Sequence, residues 1–169
     1  MTIKERYEGV LSHLAKEWPA ADSELHFENA YQLLVAVMLS AQCTDKRVNI
    51  VTPALFTAYP TVQALAQATA EEVFSYIKSV SYPNSKAEHL VAMAKRVVEV
   101  YAGQIPDTRE ELQTLAGVGR KTANVVCAVW WNQPTMAVDT HIFRVAERIG
   151  LTTNAKNPLD SEKQLIKHI

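Results

Sequence analysis

The chain has 169 residues, 48% of them hydrophobic and 21% charged, which suits one ordinary domain or two small ones sharing a core. A formal net charge of −1 gives no basic surplus of the kind that marks a nucleic-acid-binding surface, although a local cluster can bind phosphate on a neutral protein. Two cysteines, Cys43 and Cys127, make neither a disulfide framework nor a zinc spacing, the five histidines stand singly, and no metal site is expected. No apolar run reaches the ~20 residues of a membrane helix, and the start, MTIKERYEGV, lacks the apolar centre of a signal peptide, so a cytoplasmic protein with no membrane partner is expected.

In chain order the sequence reads as helices and no strands. Residues 3–15 place Ile3, Tyr7, Val10, Leu11 and Leu14 at amphipathic spacing. Residues 30–42, AYQLLVAVMLSAQ, are apolar almost throughout and long enough for a fully buried helix. Residues 46–58 continue as a helix that Pro53 should kink or interrupt, and Asp45 stands where it can cap that helix. Residues 70–79 put Val73, Phe74 and Ile77 on one face. Ser85 with Glu88 reads as a capping box opening a helix that runs to Gly103, and Thr108 with Glu111 as a second box, opening a short helix that stops at Gly117. Another helix starts near Arg120. After Asp139 a further helix turns Ile142, Val145, Ala146 and Ile149 inward and stops at Gly150. The final stretch, DSEKQLIKHI, starts a helix at Asp160 or Ser161 that nothing stops, and the chain reads as ending before its fold is complete.

The stretch LAGVGRKTANVV (115–126) carries the chemistry. Two short helices flank Gly117-Val118-Gly119. Glycine tolerates positive φ and lets another backbone approach closely. Val118 would plug the space between the helices, and the amides of Gly119, Arg120 and Lys121 would face outward at a helix start, where free N–H groups and the helix dipole favour a phosphate. Taken alone, G-x-G reads first as an ordinary turn between helices with glycines at a C-cap, Lys121 as an exposed helix lysine and Asp139 as an N-cap.

Four segments, in this order, resemble the endonuclease III family of helix-hairpin-helix DNA glycosylases: LLVAVMLSAQCTDKRVN (33–49), NSKAEHL (84–90), LAGVGRKTANVV, and AVDTHIFRVAERIGL (137–151). The resemblance implies an all-α fold: a helical domain over residues 22–135 with the hairpin at about 109–131, and a second helical domain built from residues 1–21 and 136–169. It implies a monomeric enzyme that binds double-stranded DNA at a damaged base or abasic site in the bacterial nucleoid, removes oxidised pyrimidines and nicks the strand by β-elimination. Lys121 matches the family's nucleophile. Its amine must be neutral to attack, so burial or a neighbouring cation such as Arg120 is expected to help it shed its proton. Asp139 matches the catalytic aspartate, and a carboxylate fixed at a helix start can cap and react at once. Gln42 matches a residue inserted where the base has left, and Asp45 lines the base pocket. Tyr82 stands where the family has an apolar wedge. Lys86, Thr140 and His141 are candidates for contact with the DNA backbone, together with Gly117, Val118, Gly119 and Arg120.

Two departures stand out. The family's LPGVG is LAGVG here, with Ala116, and Tyr82-Pro83 replaces an apolar residue and an aromatic. The full-length family also carries a C-x6-C-x2-C-x5-C segment for a 4Fe-4S cluster. This sequence has no counterpart to it, so no cofactor is expected in this chain. A non-catalytic DNA-structure-binding hairpin would need the glycines but not Lys121 with Asp139. Monofunctional adenine glycosylase relatives typically lack the lysine at position 121.

Overall fold

A computed structural model describes residues 2–169. Among these residues every regular element is a helix: α1 (Ile3–Glu17), α2 (Ala30–Ser40), α3 (Asp45–Ala58), α4 (Val62–Ala66), α5 (Ala70–Ile77), α6 (Pro83–Tyr101), α7 (Arg109–Leu112), α8 (Arg120–Trp131), α9 (Thr140–Arg148) and α10 (Pro158–Leu165). They divide into two compact units, Ser23–Thr135 and the two terminal segments, the second of which is Met136–Ile169.

The larger unit is built around α2. Leu33 to Leu39 are buried without a break, so this helix has no solvent face and packs against α3, α6 and α8. Leu55, Ile77, Leu90, Met93 and Val126 close over it, each fully out of water. A buried leucine of this kind contributes roughly 1.5–3 kcal/mol. Asn29 opens α2, its Oδ1 accepting the Gln32 N–H at 2.9 Å.

Several helix starts differ from the sequence reading. Thr44, not Asp45, caps α3, its hydroxyl accepting the Arg47 N–H at 3.3 Å, and Asp45 is the first helical residue. Pro53 does not interrupt α3, which runs on to Ala58. α6 begins at Pro83, whose fixed φ suits a first helical position, so Ser85 lies inside the helix and caps nothing. The short α4, capped by Thr61, was not expected. Its five residues are too few for a visible period. α7 ends at Leu112, well before Gly117. Thr108 accepts the Glu111 N–H as predicted, while the Glu111 carboxylate takes the Thr108 hydroxyl at 2.7 Å.

The smaller unit holds α1, α9 and α10 around Tyr7, Val138, Ala146 and Leu165. Tyr7 donates to the Leu151 carbonyl at 2.6 Å and Arg6 to that of Gly150 at 3.2 Å, so α1 holds the carbonyls of the turn that follows α9. Of the apolar stripe predicted to face inward on α9, only Ala146 is buried. Ile142, Val145 and Ile149 line an open apolar groove with Leu11 and Leu14 of α1, because no described residue of the unit lies over that face. α10 starts earlier than expected, with Asn157 as its cap, and ends at Leu165.

Candidate functional site

The hairpin assigns its two glycines different tasks. Gly117 has φ +73°, and a Cβ there would lie 2.8 Å from the His89 Cβ of α6, so both conformation and packing require a residue without a side chain. Gly119 has an extended backbone, φ −86° and ψ 176°, and a Cβ added to it would meet nothing within 4 Å. Gly119 is the N-cap of α8, a position that glycine fills readily, and the space beside it is open. Val118 is buried at 6% exposure and holds the turn against the core, as its place between the helices predicted. α8 then begins with Arg120 and Lys121 and carries no acidic residue in its first turn. Cations there oppose the helix dipole, whose positive end is complemented by anions.

Lys121 is exposed on the first turn of α8 and forms one wall of a cleft of about 270 Å³. Gln42 and Asp45 stand in the same cleft, with Ser23, Ser40 and Thr122 as further polar lining and Leu25, Val37 and Val125 as its apolar part. Three residues named from the sequence, on α3, on α8 and in the turn between α2 and α3, thus line one cleft. Because Thr44 caps α3, Asp45 is relieved of that duty. Wider hollows lie elsewhere, one of about 650 Å³ between Asn29, Tyr101 and Trp131, but none of the candidate residues lines it.

Lys86 is corrected. It was expected at a DNA phosphate; instead it is 9% exposed, and its Nζ donates to the carbonyls of Leu39 and Ala41, both at 2.7 Å. Burial pushes its ammonium below the ordinary lysine range, with the nearby Cys43 acting in the opposite sense. α2 ends without glycine, and a donor from another helix satisfies its last carbonyls. Ser81, which the sequence reading passed over, donates from its hydroxyl to the Gln42 carbonyl. Tyr82 is 66% exposed, as a wedge would have to be.

In the smaller unit Asp139 is the N-cap of α9, its Oδ1 accepting the N–H groups of His141 at 2.9 Å and Ile142 at 2.8 Å. Thr140 and His141 follow it, both exposed, on the first turn of that helix.

Residues 35–169 match the model of the HhH-GPD superfamily of base excision DNA repair proteins. The chain belongs to the endonuclease III family. It is 45% identical over 155 residues to endonuclease III of Rickettsia felis, which covers 92% of this chain and 72% of that protein. It is 44% identical over 167 residues to that of Synechocystis, covering 98% and 76%. Its structure superposes on a trapped endonuclease III–DNA covalent intermediate, the estranged-adenine complex, with a TM-score of 0.94 and 41% identity, over 100% of this chain and 79% of that one. The 4Fe-4S cluster expected of full-length endonuclease III does not fit the residues present. A cluster needs four thiolates, and the sequence has Cys43 and Cys127 alone, the latter buried with its Sγ 3.8 Å from the Asp107 carbonyl.

Proposed function

We propose that this endonuclease III homologue is a bifunctional base-excision enzyme: a DNA glycosylase for oxidised pyrimidines in duplex DNA, with AP-lyase activity through Lys121. The observation that carries the reading is the placement of an exposed lysine on the first turn of α8, in one cleft with Gln42 and Asp45. A cleft of about 270 Å³ lies just under the usual ~300–1,000 Å³ of small-molecule pockets, room for a single base. The base must leave the stack for its sugar carbon to be reached. The Lys121 Nζ lone pair then forms a bond to C1′, and the bond from C1′ to the base breaks, the base leaving with the electron pair and taking up a proton. The nitrogen gives up one proton, the C1′–O4′ bond breaks with its electron pair going to the ring oxygen, which takes up a proton, and a protonated imine results. Loss of a proton from C2′ expels the 3′ phosphate and nicks the strand. Asp45 faces the base, Gln42 and Tyr82 fill the gap it leaves, and the amides around Gly119, with Arg120, hold a phosphate. Thr140 and His141 contact the DNA backbone, and Asp139 supplies negative charge for the reacting sugar. The enzyme acts as a monomer.

Trapping with borohydride on duplex DNA containing thymine glycol tests the reading, since hydride reduces the imine to a stable amine. A covalent protein–DNA adduct is expected. DNA binding without any adduct would favour a non-catalytic hairpin module instead. Affinity should also depend on salt: with about four phosphates neutralised, binding falls roughly 100-fold between about 50 and 200 mM salt. A flat titration would argue against a phosphate-gripping hairpin.

The two glycines separate stability from binding. Gly117→Ala is expected to cost about 2 kcal/mol or more, from the left-handed backbone and the enforced shift of His89. Gly119→Ala should cost under about 1 kcal/mol in urea unfolding, yet weaken duplex binding about tenfold because its methyl occupies the approach to the amides. Undiminished binding by Gly119→Ala would remove the phosphate from that site.

A further inference from the structure

Helix α2 ends at Ser40 without the glycine or asparagine that commonly closes a helix. Two bonds from Lys86 Nζ, to Leu39 and Ala41, take that role. Directly after them Gln42 adopts φ +53°, a left-handed backbone that a non-glycine residue reaches at a cost of roughly 1–2 kcal/mol. The Gln42 carbonyl accepts the Ser81 hydroxyl. The next residue, Tyr82, is again left-handed at φ +52°, although a residue before proline is normally extended. Pro83 then opens α6, which carries Lys86 one turn further on, where its N–H donates to the Tyr82 carbonyl at 3.1 Å.

Two exposed, left-handed, non-glycine residues therefore stand at the two ends of one hydrogen-bonded linkage. Other non-glycine residues share this φ, among them Ala102 and Asn132 as the C-caps of α6 and α8, but Gln42 and Tyr82 are not C-caps, and backbone strain of this sort persists only where the surroundings over-determine it. Packing alone does not call for a buried ammonium, because an apolar side chain of that length would fill the space without losing hydration. The ammonium is there for the carbonyls, and the carbonyls fix where Gln42 begins its turn.

Resting on the glycosylase reading above, we propose that Lys86 and Ser81 form a clamp that presents Gln42 and Tyr82 to duplex DNA as one preformed, two-pronged element, with Lys86 the positioning residue for base extrusion. Neither clamp residue touches the reacting atoms. Both prongs must enter the stack together to hold a base pair open. Loosening the clamp slows extrusion and spares the attack of Lys121 on a sugar that has no base pair to open.

The test compares two duplexes under single-turnover conditions, one with thymine glycol opposite adenine and one with an abasic site, using wild type, Lys86→Met, Lys86→Arg and Ser81→Ala. Lys86→Met is expected to slow the maximal rate on thymine glycol by about 10- to 100-fold, the scale of a misplaced positioning group. Its loss in the borohydride-trapping rate on the abasic duplex should be at least about tenfold smaller. Lys86→Arg, which can still donate twice, recovers most of the difference. Ser81→Ala moves the same way to a lesser degree and decides the matter should Lys86→Met not fold. Equal losses on the two duplexes, or no loss in either variant, would overturn the clamp. A wild type that forms no adduct on either duplex overturns the glycosylase reading itself.

Discussion

Lys121→Gln is expected to abolish the borohydride-trapped adduct and to lower the rate of strand nicking at least about 1,000-fold, some 4 kcal/mol of barrier. Glutamine is polar, uncharged and only one bond shorter than lysine, and it has nearly the same helix propensity. The position is exposed on the first turn of α8, so unfolding free energy should move by no more than about 0.5 kcal/mol. The variant still has Gly119 and Arg120 at the helix start and should still bind damaged duplex. What it lacks is a nitrogen with a lone pair that can form an imine: the amide nitrogen of glutamine is delocalised into its carbonyl. An adduct that survives in the variant would transfer the nucleophile to another amine of the chain. Loss of adduct together with loss of folding would leave the role of Lys121 to a circular-dichroism-matched variant, Lys121→Met, which carries the same expectation.

The sequence was informative wherever one residue's task is local. A fully apolar run of helix length must be buried, and α2 is. A glycine pair in a tight turn offers positive φ at either position; Gly117 uses it, and Gly119 does not. Aspartate ahead of an amphipathic stripe reads as an N-cap, and Asp139 is one. The misses share a different cause: they depend on partners distant in sequence. Lys86 reads as a surface lysine because it stands near the start of its helix, while the carbonyls it serves lie 45 and 47 residues away. Ser81 has no signal of its own, since its partner is a backbone atom of Gln42. The apolar stripe of α9 was read as core because periodicity reports that a face is apolar, not what covers it. Thr44 displaced Asp45 as cap because two adjacent residues both qualify and one position decides between them.

Asp139 is where charge and capping must be separated, and one pair of substitutions does so. Asparagine caps a helix about as well as aspartate. Asp139→Asn therefore retains an oxygen for the N–H groups of His141 and Ile142, and α9 should keep its first turn with a stability change under about 0.5 kcal/mol. Asp139→Ala removes the acceptor and should cost about 1 kcal/mol, or a fall of roughly 2–4 °C in Tm for a chain of this size. If the carboxylate serves only the helix, activity follows stability: Asn is close to wild type and Ala is mildly impaired. If its negative charge stabilises the sugar as the base departs, both variants lose about 100- to 1,000-fold in single-turnover base excision, the range for removing one electrostatic group from a reaction centre. The second outcome follows from the role proposed above for Asp139: the helix start holds the carboxylate in place and favours its ionised form, and asparagine reproduces the hydrogen bonds without that charge. Near-normal excision by Asp139→Asn would return the residue to a purely structural role and leave Lys121 to act with other groups.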